Sequence, residues 1–239
     1  YPLGVLEAVL KLINRVEELA GLEAYWKKPS SQLVVIYGKR RVGKTFLIQA
    51  FGERHHHIYF LADKTTESEN LKALGRAMGK HFEDSILAKN GFKDWYDFFD
   101  YLKERVKTKT IIAIDEFPYL AEGNKAVSSV FQKGWDETLS KLHICLILCG
   151  SSIGMMESET LAYKAPLYGR RTAQILVRPF SFLDAWNFYP KLDFAKFLEI
   201  YSVAGGNPAY LLKLRDAMNL KDARTRFVLN PVELLFEEV

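Results

Sequence analysis

Residues 33–48 read LVVIYGKRRVGKTFLI, an apolar run, a short glycine-bounded turn and a second apolar run. No other stretch restricts the fold of this chain as strongly. The turn, Gly38-Lys39-Arg40-Arg41-Val42-Gly43-Lys44-Thr45, has the G-x-x-x-x-G-K-[ST] spacing of a phosphate-binding loop. It also lies where such a loop belongs, between a buried strand and a helix. Gly38 and Gly43 let the backbone curl so that successive N–H groups face a polyphosphate. A helix starting near Lys44 turns its positive end toward the same anion. Lys44 is expected on the β- and γ-phosphates, and the Thr45 hydroxyl on Mg²⁺. The candidate nucleotide-binding segment therefore runs from Gly38 through Thr45 to Phe46. Arg40 and Arg41 fill its variable positions and are read as facing solvent or a partner.

The pattern around the loop predicts strands at about 33–37, 58–63, 110–115, 143–150 and 174–177, separated by helical periodicities. Strands that are nearly all apolar and alternate with helices imply a parallel sheet covered on both faces, an α/β architecture. Helices are expected from Lys44 to about Ala50, at 68–82, 92–107 and about 127–141. An earlier one is expected within residues 5–27. The aromatic-rich stretch FKDWYDFFDYLKERV reads as a helix packed on the sheet rather than a base-stacking surface. From Ser181 onward only short helical patterns remain, which places a boundary near residue 180, with domains expected over 1–180 and 181–239.

The strand TIIAID ends in Asp115-Glu116, at the sheet edge where ligands bind in parallel folds. Beside a phosphate loop, Asp115 is expected to hold Mg²⁺, and Glu116 to orient and deprotonate the attacking water. A glutamate directly after the aspartate favours hydrolysis over kinase chemistry. Ser151, at the end of ILCGSS, is the candidate sensor of the γ-phosphate. Arg170 or Arg171, in PLYGRR, is a candidate guanidinium for the charge that develops in phosphoryl transfer. The run His55-His56-His57 reads as a loop or strand edge, because consecutive strand residues alternate faces and do not converge on one metal ion.

Composition narrows the class. Hydrophobic residues make up 49% and charged residues 26%, the values of a globular rather than a disordered chain. No apolar stretch is long enough to span a bilayer, and the start lacks a signal-peptide pattern. Cys145 and Cys149 lie on one face of a strand, too far apart to bridge, as core residues of a reducing, cytoplasmic protein would. The net charge of +4 permits nucleic acid as a partner without requiring it.

Taken together, INRVEEL (13–19), GKRRVGKT (38–45), IIAIDEFPYL (111–120), LCGSS (148–152), PLYGRR (166–171) and GGNPAYL (205–211) resemble the archaeal ATPase family, in the signal-transducing branch of the AAA-related P-loop NTPases. The resemblance spans essentially the whole chain. It implies a five-stranded parallel sheet in which the phosphate-loop strand neighbours the strand ending in Ser151, followed by a small all-helical lid. It further implies ATP or ADP with Mg²⁺ as cofactors, and Asn14-Arg15 and Pro208 as residues near the adenine, so that lid position follows nucleotide state. Val16 stands where the family usually carries a charge. Such proteins continue into a winged-helix domain, so the chain is expected to be the N-terminal part of a longer protein. DNA or protein partners would act through that further domain, and a homo-oligomer is allowed.

Overall fold

The computed structural model describes residues 15–214 and 221. Helix α1 (Val16–Trp26) leads into β1 (Gln32–Tyr37), the phosphate loop and α2 (Lys44–Gly52). Then come β2 (His57–Leu61), α3 (Glu67–His81), α4 (Ser85–Asn90), α5 (Trp95–Arg105) and β3 (Thr110–Asp115). Helices α6 (Phe117–Gly123) and α7 (Val127–Glu137) precede β4 (Ile144–Gly150). A short α8 (Ile153–Met156), a π-helical turn (Glu157–Leu161) and β5 (Ala173–Leu176) complete this part. Among the described residues the helices α9 (Phe182–Trp186), α10 (Phe194–Ala204) and α11 (Pro208–Leu214) follow.

The strands form one five-stranded sheet in the order β2-β3-β4-β1-β5, with every pairing parallel. This is the α/β fold expected from the sequence, with β1 beside β4. Residues of β1, β3 and β4 are buried almost without exception, which is why those strands read as unbroken apolar runs. Leu33, Ile58, Phe60, Ile112, Ile114, Leu146 and Leu148 share one cluster with the buried sides of α3, α5, α6 and α7. On the other face, α2 packs on β2 and β3, and α1 packs on α2. The aromatic helix α5 buries Trp95, Phe98, Phe99 and Leu102 in the core, with Phe99 edge-on to Phe131. It is a packing helix.

The differences from the expected elements are local. Strand β2 ends at Leu61 rather than 63, and the helix expected over 127–141 breaks at Thr138 into a 3₁₀ turn. Helix α4 was not expected; Asp84 caps its start and Gly91 its end, but six residues are too few to show a period. Helix α6 was missed because it begins without a side-chain cap, at Glu116, and its 7 residues are too few to show a period.

By its internal packing the chain divides into two units. The larger comprises Val16–Lys39 and Lys44–Val177 and holds the sheet. The smaller, in its described part, comprises Arg15, Arg40–Gly43 and the residues from Arg178 on. It has its own core, built from Phe180, Ala185, Phe188, Tyr189, Phe197, Ile200, Leu211 and Leu214. Among the described residues no helix is long and apolar enough to cross a membrane.

Candidate nucleotide site

The phosphate loop takes backbone conformations that its glycines allow and that are uncommon for its one positive-φ arginine. Gly38 has φ +151°, Gly43 φ +94° and Arg41 φ +65°. A side chain on Gly38 would put its Cβ 2.2 Å from the Val177 carbonyl oxygen, so the residue after β5 approaches too closely for any residue but glycine. Lys44, only 6% exposed, donates from Nζ to the carbonyls of Gly38 (3.0 Å) and Lys39 (2.8 Å). The ammonium is thereby held inside the curl of the loop, where a polyphosphate would lie. Lys39 and Arg40 are exposed, and Phe46 is half-buried.

Thr45 opens α2 and Asp115 closes β3, and the sheet brings them together. The Thr45 hydroxyl donates to Asp115 Oδ2 at 2.6 Å. The Tyr59 hydroxyl donates to the same oxygen at 2.9 Å, and the Glu116 N–H donates to Oδ1 at 3.0 Å. Asp115 is 1% exposed, and these donors are what make a buried carboxylate tolerable. Its charge also acts on its neighbours. Burial first, and then Asp115, pushes the Tyr59 phenol well above its ordinary value, so it stays a donor. Burial and then Asp115 likewise keep the Cys149 thiol protonated, and burial pushes Cys145 up to about 12. Both cysteines are free and buried. A hydroxyl and a carboxylate oxygen side by side are the hard donors that suit Mg²⁺, so the residues present fit that ion.

Glu116 sits in the left-handed region, φ 53° and ψ 42°. That conformation is uncommon for a glutamate and marks a constrained position. Its Oε2 accepts from the backbone N–H of Ser151 at 3.1 Å and from the Ser151 hydroxyl at 3.0 Å. Two residues singled out separately in the sequence are thus bound to each other, because β4 lies directly beside β3.

Arg170 makes a two-point contact with the Asp136 carboxylate, Nε to Oδ1 at 3.1 Å and Nη2 to Oδ2 at 2.8 Å. Arg171 donates to the carbonyls of Thr160, Leu161 and Tyr168, closing the end of the π-helical turn. Both arginines therefore hold the segment after Ser151 in place. His55 is engaged too, bonded to the Glu23 carboxylate and packed on Trp26.

In the smaller unit, Arg15 Nη2 donates to the Val42 carbonyl (2.9 Å) and to the Arg178 carbonyl (2.7 Å), while its guanidinium lies 4.2 Å from the centre of the Phe180 ring. Arg15 thus ties the tip of the phosphate loop to the chain entering the helical unit. Pro208 begins α11, and its Cγ lies 3.9 Å from where a Cβ on Gly43 would be. Asn14 lies outside the described residues. The sequence reading missed Tyr59 altogether; the alternation of β2 shows which face it takes but not which strand lies alongside.

Comparison with known proteins supplies the family. Residues 12–214 match the model of an ATPase domain predominantly from Archaea. An uncharacterised protein of Methanocaldococcus jannaschii is 39% identical over 203 residues, covering 85% of this chain and 44% of its own length. The chain thus spans less than half of that relative. Among solved structures, the Walker-type ATPase of Pyrococcus abyssi superposes with a TM-score of 0.66 at 24% identity, covering 90% of this chain and 71% of that one. The ORC2 protein of Aeropyrum pernix, solved in ADPNP and ADP complexes, gives a TM-score of 0.60 at 14% identity, covering 87% of this chain and 66% of its own. Those two likenesses speak for the fold, and the extent of the family match decides membership. This chain belongs to the family of ATPase domains found predominantly in Archaea.

Proposed function

We propose that this chain is a Mg²⁺-dependent ATPase whose nucleotide state works a conformational switch. The observation that carries the reading is the pairing of Thr45 with Asp115 at 2.6 Å, one residue before Glu116 and at the mouth of the phosphate loop. In this reading Thr45 and Asp115 hold Mg²⁺, which would screen phosphate charge in the reaction, and Lys44 binds the β- and γ-phosphates. Glu116 orients the attacking water and takes its proton. Residues 181–239 serve as a helical lid. The switch is supported by the clustering of loop residues 40–43 with the helical unit, and by Arg15, which bonds Val42 and Arg178 alike. A change in loop shape on loss of the γ-phosphate would reach that unit through the same carbonyls.

The test is Glu116→Gln. The variant is expected to retain ATP while releasing phosphate at least about a hundredfold more slowly. Equal phosphate release by variant and parent removes Glu116 as the base. A second reading, a nucleotide-gated scaffold with negligible turnover, is favoured by the capture of the Glu116 carboxylate on Ser151. Single-turnover hydrolysis distinguishes the two, as does ADP retained through purification.

A further inference from the structure

A carboxylate that presents one oxygen to a cation does so best if its rotamer is set beforehand by neighbouring donors. Asp115 accepts from one backbone N–H and two hydroxyls in the structure, and these donors are not equivalent. The Glu116 N–H fixes Oδ1, while the hydroxyls of Thr45 and Tyr59 share Oδ2. The Thr45 bond is the one that changes in use, since that hydroxyl is itself an expected Mg²⁺ ligand. Tyr59 has no such second duty.

Strand β2 explains why the phenol is there. Its parallel register with β3 pairs Tyr59 with Ala113 and Leu61 with Asp115. Paired residues share a face, so Tyr59, Ala113 and Asp115 lie on the same side of the sheet. Ala113 carries only a methyl group, and the phenol passes it to reach the carboxylate two residues further on. Ile58 and Phe60, buried on the opposite face at 4% and 5% exposure, lock the register. A slip of one residue would turn Tyr59 away from Asp115 altogether.

We propose that Tyr59 is a positioning residue, whose hydroxyl holds Asp115 Oδ2 ready for Mg²⁺ when Thr45 turns its own oxygen to the ion. This rests on the Mg²⁺-dependent reading above. The experiment compares the parent, Tyr59→Phe, Asp115→Asn and the double variant for binding of a fluorescent ATP analogue, in EDTA and across a Mg²⁺ titration, with melting temperature recorded in EDTA. Tyr59→Phe is expected to keep the EDTA affinity and to lower the melting temperature by only a few degrees, since the Thr45 hydroxyl and the Glu116 N–H still hold the carboxylate. It should need about tenfold more Mg²⁺ for half-maximal tightening, the scale of one hydrogen bond to a charged group. In the Asp115→Asn background it should add nothing, because its effect runs through that carboxylate.

An unchanged Mg²⁺ midpoint in Tyr59→Phe, or an additive effect in the double variant, overturns the proposal. So does a Tyr59→Phe chain that fails to fold, since the hydroxyl is then a structural requirement. If Asp115→Asn keeps the parent's Mg²⁺ response, the metal reading itself falls. If it loses the response while Tyr59→Phe does not, only the role of Tyr59 falls.

Discussion

Ser151 gives both its backbone N–H and its hydroxyl to one oxygen of Glu116, at 3.1 and 3.0 Å. The residue proposed to sense the γ-phosphate therefore also sets the direction of the residue proposed to activate water. Removing the hydroxyl leaves the N–H in place, so Ser151→Ala should loosen Glu116 without releasing it. ATP retention is expected to stay near that of the parent, while single-turnover phosphate release falls about tenfold to a hundredfold. If the variant hydrolyses at the parent's rate, Ser151 neither senses phosphate nor orients the base.

Lys44 is buried and held by the Gly38 and Lys39 carbonyls inside the phosphate loop. Lys44→Ala removes that charge from beside the phosphates. Affinity for ATP should drop at least about a hundredfold, near the loss of one strong charge-assisted contact. Calorimetric titration measures this directly. Retention of parent-like affinity would show that the nucleotide does not use this loop.

What the sequence shows of this fold depends on whether the cause is local. Strands β1, β3 and β4 are buried on both sides, so burial writes itself into the chain as LVVIY, TIIAI and ICLILC. The phosphate loop and Asp115-Glu116 are legible for a similar reason, since each is one continuous segment with a required spacing. Contacts that depend on sheet order are not legible. Tyr59 meets Asp115 only because β2 lies beside β3, and Ser151 meets Glu116 only because β4 does. Arg170 shows the same limit. Its partner Asp136 lies 34 residues earlier, on α7, and no spacing in the sequence announces that pair. The bonds of Arg15 to the carbonyls of Val42 and Arg178 are likewise long-range contacts that no local pattern announces.

The helical unit has a tight point at Gly206. Its carbonyl accepts from the Phe180 N–H at 2.7 Å, and a Cβ on Gly206 would lie 1.8 Å from the Phe180 carbonyl oxygen. Backbone has no room to yield there, so Gly206→Ala should cost about 3 kcal/mol. Gly205 is the control. Its φ of +55° and ψ of −153° are nearly closed to residues with a Cβ, but nothing lies within 4 Å of an added Cβ, so Gly205→Ala should cost about 2 kcal/mol, from backbone strain alone. Urea denaturation of the two variants separates crowding from strain. Equal losses would mean that the close approach of Phe180 is not what requires glycine at 206.

Asp84 makes one part of the stability depend on acid. Its carboxylate caps α4 by accepting from the Leu87 N–H at 3.0 Å, and also accepts from Tyr101 (3.3 Å) and Arg105 (2.9 Å). The Leu87 N–H above all, helped by the Tyr101 hydroxyl and the Arg105 guanidinium, outweighs burial and holds this carboxyl below its ordinary value. A group whose folded pKa is depressed contributes stability in full above its unfolded pKa and loses it as pH falls through the folded value. Asp84→Asn keeps an acceptor oxygen for the cap but has no charge to titrate. The parent should therefore be the more stable protein at neutral pH. Its advantage should hold down to about pH 4 and shrink below that as Asp84 takes up a proton. Denaturation of both proteins at a series of pH values measures the gap, and a gap that stays constant through the acid range would show that the charge of Asp84 contributes nothing to the fold.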